Sequence, residues 1–255
     1  MKIIQLNAWL GRVNGPLVRF LQQESADIVC LQEAYMPNKN MLSAFADQYN
    51  FLDQIRATGL YPYEHFAKNW AVPVGGALMQ EGDMILSKYP ISCAQQQHIS
   101  GHYHERHTAA DTIANTRVWQ ACQIAINGKQ LSVANHQAYI TGTDSMGDAT
   151  TATKMEKVAQ LINTLPRPLI FCGDLNINPK SPALKMLDQC GLRNLTVEHK
   201  LPTTLSSLHR APLPDRNQVA CDYILTSPDI VVKSFYASDE LVSDHKALIL
   251  NFELA

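Results

Sequence analysis

Apolar positions recur along the chain with two periods, the alternation of strands and the three-to-four spacing of helices. Ile3 to Trp9 is an apolar run broken only by Gln5 and Asn7 and predicts a strand. Gly15 to Ser25 then places Leu17, Val18, Phe20 and Leu21 along one helical face, and Asp27 to Glu33 returns to the strand pattern. A helix is predicted near Met41 to Tyr49, followed by a Pro- and Gly-punctuated stretch from Arg56 to Gly82 that predicts short strands. Met84 to Ser87 and Ile91 to Gln95 flank a turn at Lys88 to Pro90 and read as a hairpin region. Arg117 to Ile126 and Gln130 to Asn135 predict a hairpin, because Asn127-Gly128 suits the left-handed backbone of a two-residue turn.

Ala149 to Leu165 carries the helical period, with Met155, Val158, Ala159 and Ile162 facing inward. From there the second half repeats the first in outline. Pro168 to Asp174 reads as a strand and Pro182 to Cys190 as a helix, with Ser181 as its cap and Pro182 in its first turn. Cys221 to Thr226, Ile230 to Tyr236 and Ala247 to Phe252 supply the closing strands. No linker or shift in composition divides the chain, so one domain over residues 1–255 is expected. Strands outnumber helices and many are consecutive, which favours an α+β domain of stacked sheets flanked by helices over a doubly wound parallel sheet.

Composition narrows the function classes. A chain of 255 residues that is 46% hydrophobic can build a substantial core, which excludes global disorder. Its 21 Lys plus Arg against 23 Asp plus Glu leave a net charge of −2, which excludes a broadly basic binder of nucleic acid but not an enzyme that reaches it through a local groove. Between Lys180 and Arg216 the balance reverses, six basic residues facing three acids, so that side is expected to be locally positive. The six cysteines include no Cys-x-x-Cys pair and read as reduced thiols, not as a disulfide framework or a zinc ribbon. No run of about 18 apolar residues exists to cross a membrane. With the first apolar run interrupted by Gln5 and Asn7 and no cleavage site after it, a cytoplasmic protein is expected. Oligomeric state is not legible.

The chemistry-bearing residues gather at strand ends, where a rigid element presents a side chain at a fixed place. Asn7 ends the first strand and Glu33 the second, His136 follows Val133-Ala134-Asn135, and Asp174 and Asn176 follow Ile170-Phe171-Cys172-Gly173. Asp222 enters a strand, and Asp244-His245 precede the last one. A carboxylate that closes an apolar run is costly to bury without a cation or donors, so each invites a partner.

Five elements occur in order across the chain: Leu31-Gln32-Glu33, Gly82-Asp83-Met84-Ile85-Leu86-Ser87, Gly173-Asp174-Leu175-Asn176, Cys221-Asp222-Tyr223-Ile224-Leu225 and Ser243-Asp244-His245. In order, spacing and flanking strands the set resembles the endonuclease/exonuclease/phosphatase superfamily, the DNase I-like fold. That resemblance implies a four-layer α/β/β/α sandwich with a divalent-metal phosphoesterase site at one edge and Mg²⁺ or Mn²⁺ as cofactor. It further implies Glu33 as principal metal ligand with Asn7 assisting, Asp174 on the attacking water and Asn176 on a phosphate oxygen. His245 would stabilise phosphate charge, oriented by Asp222, with Asp244 completing the metal shell and His136 as a second phosphate-side imidazole. Hard oxygen ligands suit Mg²⁺ independently of any family, and phosphodiester hydrolysis needs charge neutralisation and a positioned water.

The chain departs from that pattern in two places. Where many members carry Asn-Thr-His it reads Ala134-Asn135-His136, and Leu6-Asn7-Ala8-Trp9 lacks the acid two residues after Asn that some abasic-site nucleases use. The second departure leads away from the exonuclease III branch, and Leu31-Gln32-Glu33 leans toward deadenylases, sphingomyelinases and tyrosyl-DNA phosphodiesterases. Outside the shared pattern lie His98, His102, His104 and His107, which read as a solvated loop, a substrate-contact loop or a separate transition-metal site. The expected function is a metal-dependent phosphodiesterase or nuclease acting on a phosphoester substrate such as nucleic acid. A phosphomonoesterase, a phospholipid or small-molecule phosphodiesterase, and a non-catalytic binding protein of the same fold are the alternatives. A Ser-His-Asp acyl-transfer triad is disfavoured by the lack of a Gly-x-Ser-x-Gly elbow.

Overall fold

The computed structural model of the protein describes residues 1–36, 50–106, 116–139, 141, 145–209 and 219–255. The expected helix at Met41 to Tyr49 and the histidine His107 lie outside these residues. One sheet runs in the order β12-β13-β1-β2-β4-β3-β6, from β12 (Ile230–Ala237), β13 (Leu248–Leu254), β1 (Lys2–Asn7), β2 (Ile28–Met36), β4 (Ala77–Ser87) and β3 (Tyr63–Val74) to the short β6 (His104–Glu105). The second runs β10-β11-β9-β8-β7-β5, from β10 (Arg193–Asn194), β11 (Asp222–Thr226), β9 (Leu169–Asp174), β8 (Lys129–Gln137) and β7 (Arg117–Ile126) to β5 (Ile91–Ser100). Each sheet has a parallel pair near its centre, β1 with β2 and β8 with β9, flanked by antiparallel neighbours, and β6 joins β3 in parallel at the edge of the first sheet. The outline repeat in the sequence is this shared arrangement.

Alternation along the strands separates three apolar layers and so defines a four-layer sandwich. Odd-numbered Ile3 and even-numbered Ile28, Cys30, Ile170 and Cys172 meet Ile124, Val133 and Leu250 between the sheets. Ile4, Leu6, Val29 and Leu31 face outward beneath Leu17, Val18 and Leu21 of α1 (Asn14–Glu24) and Phe51 and Ile55 of α2 (Phe51–Ala57). Trp119, Ala134, Phe171 and Tyr223 face outward from the other sheet beneath Met155, Val158 and Ile162 of α3 (Ala149–Asn163). Full burial of such side chains stabilises by about 1.5–3 kcal/mol each before chain entropy is counted.

Three local expectations change. Arg56 to Gly82 forms not short strands but α2's end and most of a long hairpin of β3 and β4, paired from Tyr63–Ser87 to Val74–Ala77. The turn at Lys88 to Pro90 joins no hairpin: β4 and β5 belong to different sheets, so this segment is a crossover. Pro182 to Cys190 is a 3-10 helix over Leu184–Cys190, and Ser181 Oγ accepts from the Ala183 N–H at 3.1 Å while donating to the Met146 carbonyl. The Asn127-Gly128 hairpin forms with both residues at positive φ.

The inter-sheet layer is apolar at one end and polar at the other. Stepping by two, β1 reads Ile3, Gln5, Asn7; β2 reads Ile28, Cys30, Gln32; β8 reads Leu131, Val133, Asn135, Gln137; β9 reads Ile170, Cys172, Asp174. Antiparallel β4 reads the other way, Glu81, Asp83, Ile85, and β11 reads Asp222, Ile224. All of these residues are buried. Burial lifts the Glu81 carboxyl to about 8, with Arg117 opposing and Glu33 adding to the shift. The folded chain thus holds a proton that the unfolded chain releases in the ordinary glutamate range, and the stabilisation present at low pH is lost as the pH rises toward 8. Glu81→Gln is therefore expected to raise thermal stability at pH 8 by on the order of 2 kcal/mol and to change it little at pH 5. Melting curves at the two pH values check this, and an equal shift at both would disprove it.

Candidate active site

The polar end of the layer lies where the parallel strands finish and the antiparallel ones begin, so side chains from both sheets converge there. Asn7 bridges the sheets: its Nδ2 donates to Glu33 Oε1 at 3.1 Å and to Asp174 Oδ2 at 3.0 Å, while its Oδ1 accepts from Trp9 N–H at 2.9 Å. In this arrangement Asn7 is a donor that holds two acids together, not an oxygen ligand facing them. Glu33 reaches the same place through a β-bulge. Leu31 pairs with Met84 and Ala34 with Gly82, so Gln32 and Glu33 together oppose Asp83. Without the extra residue Glu33 would follow Leu31 onto the outer face; with φ of +49° it turns inward beside Gln32. Such a backbone costs a non-glycine residue about 1 kcal/mol or more.

Asp174 is buried, accepts from Asn7, and receives the N–H of Asn176 on Oδ1 at 3.1 Å. Asn176, also left-handed at φ +55°, donates Nδ2 to the Ala138 carbonyl at 3.1 Å and to Asp174 Oδ2 at 3.3 Å. The glycine of Gly173-Asp174-Leu175-Asn176 is required by the close parallel neighbour, since a Cβ there would lie 2.6 Å from the His136 carbonyl oxygen. Burial raises the Asp174 carboxyl to about 6, with the His245 charge pulling it back down.

Asp222 and His245 form a dyad, Nδ1 to Oδ2 at 2.8 Å. Asp222 is fixed by Gln5 Nε2 on Oδ1 at 3.0 Å and by Thr204 Oγ1 on Oδ2 at 2.5 Å. Burial alone would lower the His245 pKa, but the Asp222 and Asp174 charges outweigh it and raise it well above the ordinary histidine value. Ser243 Oγ donates to the Asn7 carbonyl at 2.6 Å and so ties the Ser243-Asp244-His245 turn to the end of β1. Asp244 stands at the rim, its carboxyl raised by burial and lowered again by His245.

His136 is not part of this assembly. It alternates onto the outer face of β8 with Ala134 and packs with Nδ1 2.8 Å from the Val118 carbonyl, fully buried, where burial lowers its pKa to about 4. The side chain that reaches the acids from β8 is Gln137, whose Nε2 donates to Glu33 Oε1 at 2.7 Å and lies 3.4 Å from Asp174 Oδ2. The triplet whose first and third members face the site is Asn135-His136-Gln137, one residue on from Ala134-Asn135-His136, and it carries glutamine where the Asn-Thr-His pattern carries its imidazole. The signal was in the sequence, because Val133, Asn135 and Gln137 continue the inward period. Gln5, Gln32 and Asn135 were missed for the same reason: Gln5 Nε2 donates to Gln32 Oε1 at 2.9 Å, Gln32 Nε2 to Asn135 Oδ1 at 2.7 Å, and Asn135 Nδ2 to the Leu31 carbonyl at 2.9 Å.

The histidines His98, His102 and His104 are not drawn together around a shared point. His98 Nε2 meets the Lys68 carbonyl at 3.1 Å and His104 Nδ1 the His102 carbonyl at 3.3 Å. His104 sits on edge strand β6, three strands from β2, about 14 Å at ordinary strand spacing.

Ligand-capable atoms lie within 4.8 Å of one another in two groups among the described residues, Asp174, Cys221, Asp222 and His245, and His209, Asp244 and His245. Glu33 belongs to neither and joins Asp174 through the donors they share. Asp174, Asp222 and Asp244 lie around the His245 imidazole and Glu33 joins Asp174 through the shared donors, an excess of hard oxygen and negative charge that fits a divalent cation.

A four-layer sandwich of mixed sheets with a carboxylate and imidazole site at its edge is the DNase I-like class of phosphoester hydrolases. The chain belongs to the Endonuclease/Exonuclease/phosphatase family, whose model matches residues 4–245. Among solved structures it is similar to an endonuclease/exonuclease/phosphatase from Beutenbergia cavernae DSM 12333, at 17% identity and TM-score 0.75 over 100% of this chain and 72% of the other. It is also similar to the human Nocturnin catalytic domain, at 15% identity and TM-score 0.69 over 100% and 94% of the two chains. An AP endonuclease from Archaeoglobus fulgidus matches at 17% identity and TM-score 0.63 over 100% of both. No curated protein matches by sequence.

Replacing Gln137 by Leu removes a donor from the buried Asp174 and the half-buried Glu33 and is expected to destabilise by about 1–3 kcal/mol and to lower hydrolysis. His136→Asn is expected to lower the melting temperature while leaving hydrolysis per folded molecule near the original rate. Thermal denaturation paired with active-fraction assays tests both, and a His136 variant that folds normally yet loses turnover would overturn the assignment of β8.

Proposed function

We propose that the protein is a divalent-metal-dependent phosphodiesterase, with nucleic acid as the first substrate class and Mg²⁺ or Mn²⁺ as cofactor. The observation that carries this reading is the joining of Glu33 and Asp174 by the amides of Asn7 and Gln137, across two sheets, beside the Asp222–His245 dyad. Glu33, with Asp244 across the rim, would hold the cation, which when bound neutralises charge on the non-bridging phosphate oxygens.

The chain's own residues then divide the work. Asp174, held by four donors yet lifted toward neutrality by burial, is suited to accept a proton from an attacking water. His245, kept cationic by Asp222, presents its other ring nitrogen to the phosphate and stabilises the charge that builds there. Asn176 lies beside Asp174, and its amide would give up the 3.3 Å bond to Asp174 Oδ2 to reach a phosphate oxygen. Asp222 acts only through His245, since Gln5 and Thr204 occupy its remaining positions. The edge strand with His104, several strands from Glu33, would contact the substrate away from the scissile bond. The domain is taken as one unit over residues 1–255.

Hydrolysis of a bis-aryl phosphodiester should vanish in excess EDTA and return with Mg²⁺ or Mn²⁺, and Glu33→Gln should remove the metal-stimulated rate while the chain still melts cooperatively. Undiminished turnover in EDTA would refute the metal requirement. Asp174→Ala and His245→Ala should each lose on the order of 10²-fold or more, and the double variant should lose much less than the product of the two, because both act on one transition state. A panel of DNA, RNA, sphingomyelin and a phosphomonoester then assigns the substrate class.

A further inference from the structure

At the rim of the site stands a residue that the catalytic assignment does not use. His209 places Nδ1 3.3 Å from Asp244 Oδ2, and its ring packs edge-on against His245 with centroids 6.0 Å apart at 85°. The ligand-capable atoms of His209, Asp244 and His245 lie within 4.8 Å of one another. We propose that these three side chains form a transition-metal site that takes Zn²⁺, and that its occupation inhibits the Mg²⁺-supported reaction. The inhibitory part rests on the reading of His245 given above; the binding part does not.

The donor set decides the ion. Two imidazole nitrogens and one carboxylate oxygen suit Zn²⁺ or Co²⁺, whereas Mg²⁺ seeks oxygen and keeps much of its water. A support for the first ligand is in place: His245 gives Nδ1 to Asp222 Oδ2 at 2.8 Å, which directs Nε2 outward, and Asp222 is itself held by Gln5 and Thr204. Carboxylate-backed imidazoles of this kind are the usual support of metal-ligating histidine.

The backbone fixes the three ligands relative to one another. Leu205 pairs with His245, Ser206 N–H donates to the Asp244 carbonyl at 2.9 Å, and Ser206 Oγ donates to the Ser243 carbonyl at 2.7 Å. The His209 N–H closes a turn on the Ser206 carbonyl at 3.2 Å. Both segments thus form one scaffold. Access also separates this group from the buried one around Asp174. His209 and Asp244 side chains are 16% and 13% exposed, so an ion can reach them from solvent, while Asp222 in the other group has both oxygens engaged. Binding there releases the Nε2 proton of the His245 imidazolium, draws Asp244 from the catalytic cation and occupies the nitrogen that the phosphate would contact, which is why binding would compete with turnover.

The test is a titration of the whole chain with Zn²⁺ and Co²⁺ in millimolar Mg²⁺, which keeps oxygen-rich sites filled. One equivalent of Co²⁺ should bind with the visible absorption of a nitrogen-ligated ion, and Zn²⁺ should displace it. Zn²⁺ should inhibit phosphodiester hydrolysis with the same midpoint. His209→Gln should weaken Co²⁺ binding and Zn²⁺ inhibition by about tenfold or more, each variant measured against its own Mg²⁺-supported rate. Asp244→Asn should weaken Co²⁺ binding likewise. In the unaltered chain, Zn²⁺ should protect His209 and His245 from diethyl pyrocarbonate, a readout that needs no variant. Absence of stoichiometric binding, binding indifferent to His209→Gln, or absence of protection would leave His209 and Asp244 as an ion pair only and overturn the proposal. If the chain hydrolyses no phosphoester, the phosphodiesterase reading fails, yet the Co²⁺ titration still decides the metal site.

Discussion

Everything at the functional edge depends on keeping several carboxylates in a layer from which water is largely excluded. An uncompensated charge in such a place costs several kcal/mol, enough to offset much of a domain's net stability. The protein meets the cost with amide groups that serve more than one acid: Asn7 and Gln137 each face both Glu33 and Asp174, and Gln5 joins Asp222 to Gln32. Because these donors sit on different sheets from some of their acceptors, the same bonds that satisfy the acids also set the relative placement of the sheets. Loss of one donor is felt as both instability and misplacement of a reactive group.

The backbone adapts to the same constraint. A regular β2 would send Glu33 to the outer face, into the layer occupied by Leu31, Val29 and α1. The bulge reverses it, at the expense of a left-handed residue, and Asn176 after β9 makes a similar exception. Both exceptions lie beside Asp174, and both are held by side-chain bonds that a relaxed backbone could not make. Away from the site the strands return to apolar alternation.

The histidines illustrate how far composition can mislead. Four of the nine cluster in sequence between His98 and His107, yet His98 on β5 meets the Lys68 carbonyl and His104 on β6 the His102 carbonyl, on strands of different sheets. His136 follows a strand and lies next to the site in sequence, but strand alternation buries it in the outer layer. His209, from a Pro-rich segment with no periodic signal, meets His245 because two loops pair through Leu205.

Period and motif in the chain were enough to establish most of the strands, the helices Asn14–Glu24 and Ala149–Asn163, the sandwich class and most of the acids at its edge. Those properties follow from local chemistry: alternation sets which face is apolar, and Asn-Gly closes a hairpin. Tertiary structure decided the rest. That β4 and β5 part into different sheets and that Glu33 turns inward at a bulge both depend on pairing against a partner strand. A slip of one residue exchanges the faces of a strand, and nothing within the strand itself marks where its partner begins. The sequence therefore specified which side chains could do the chemistry, while pairing across and between the sheets selected the ones that meet.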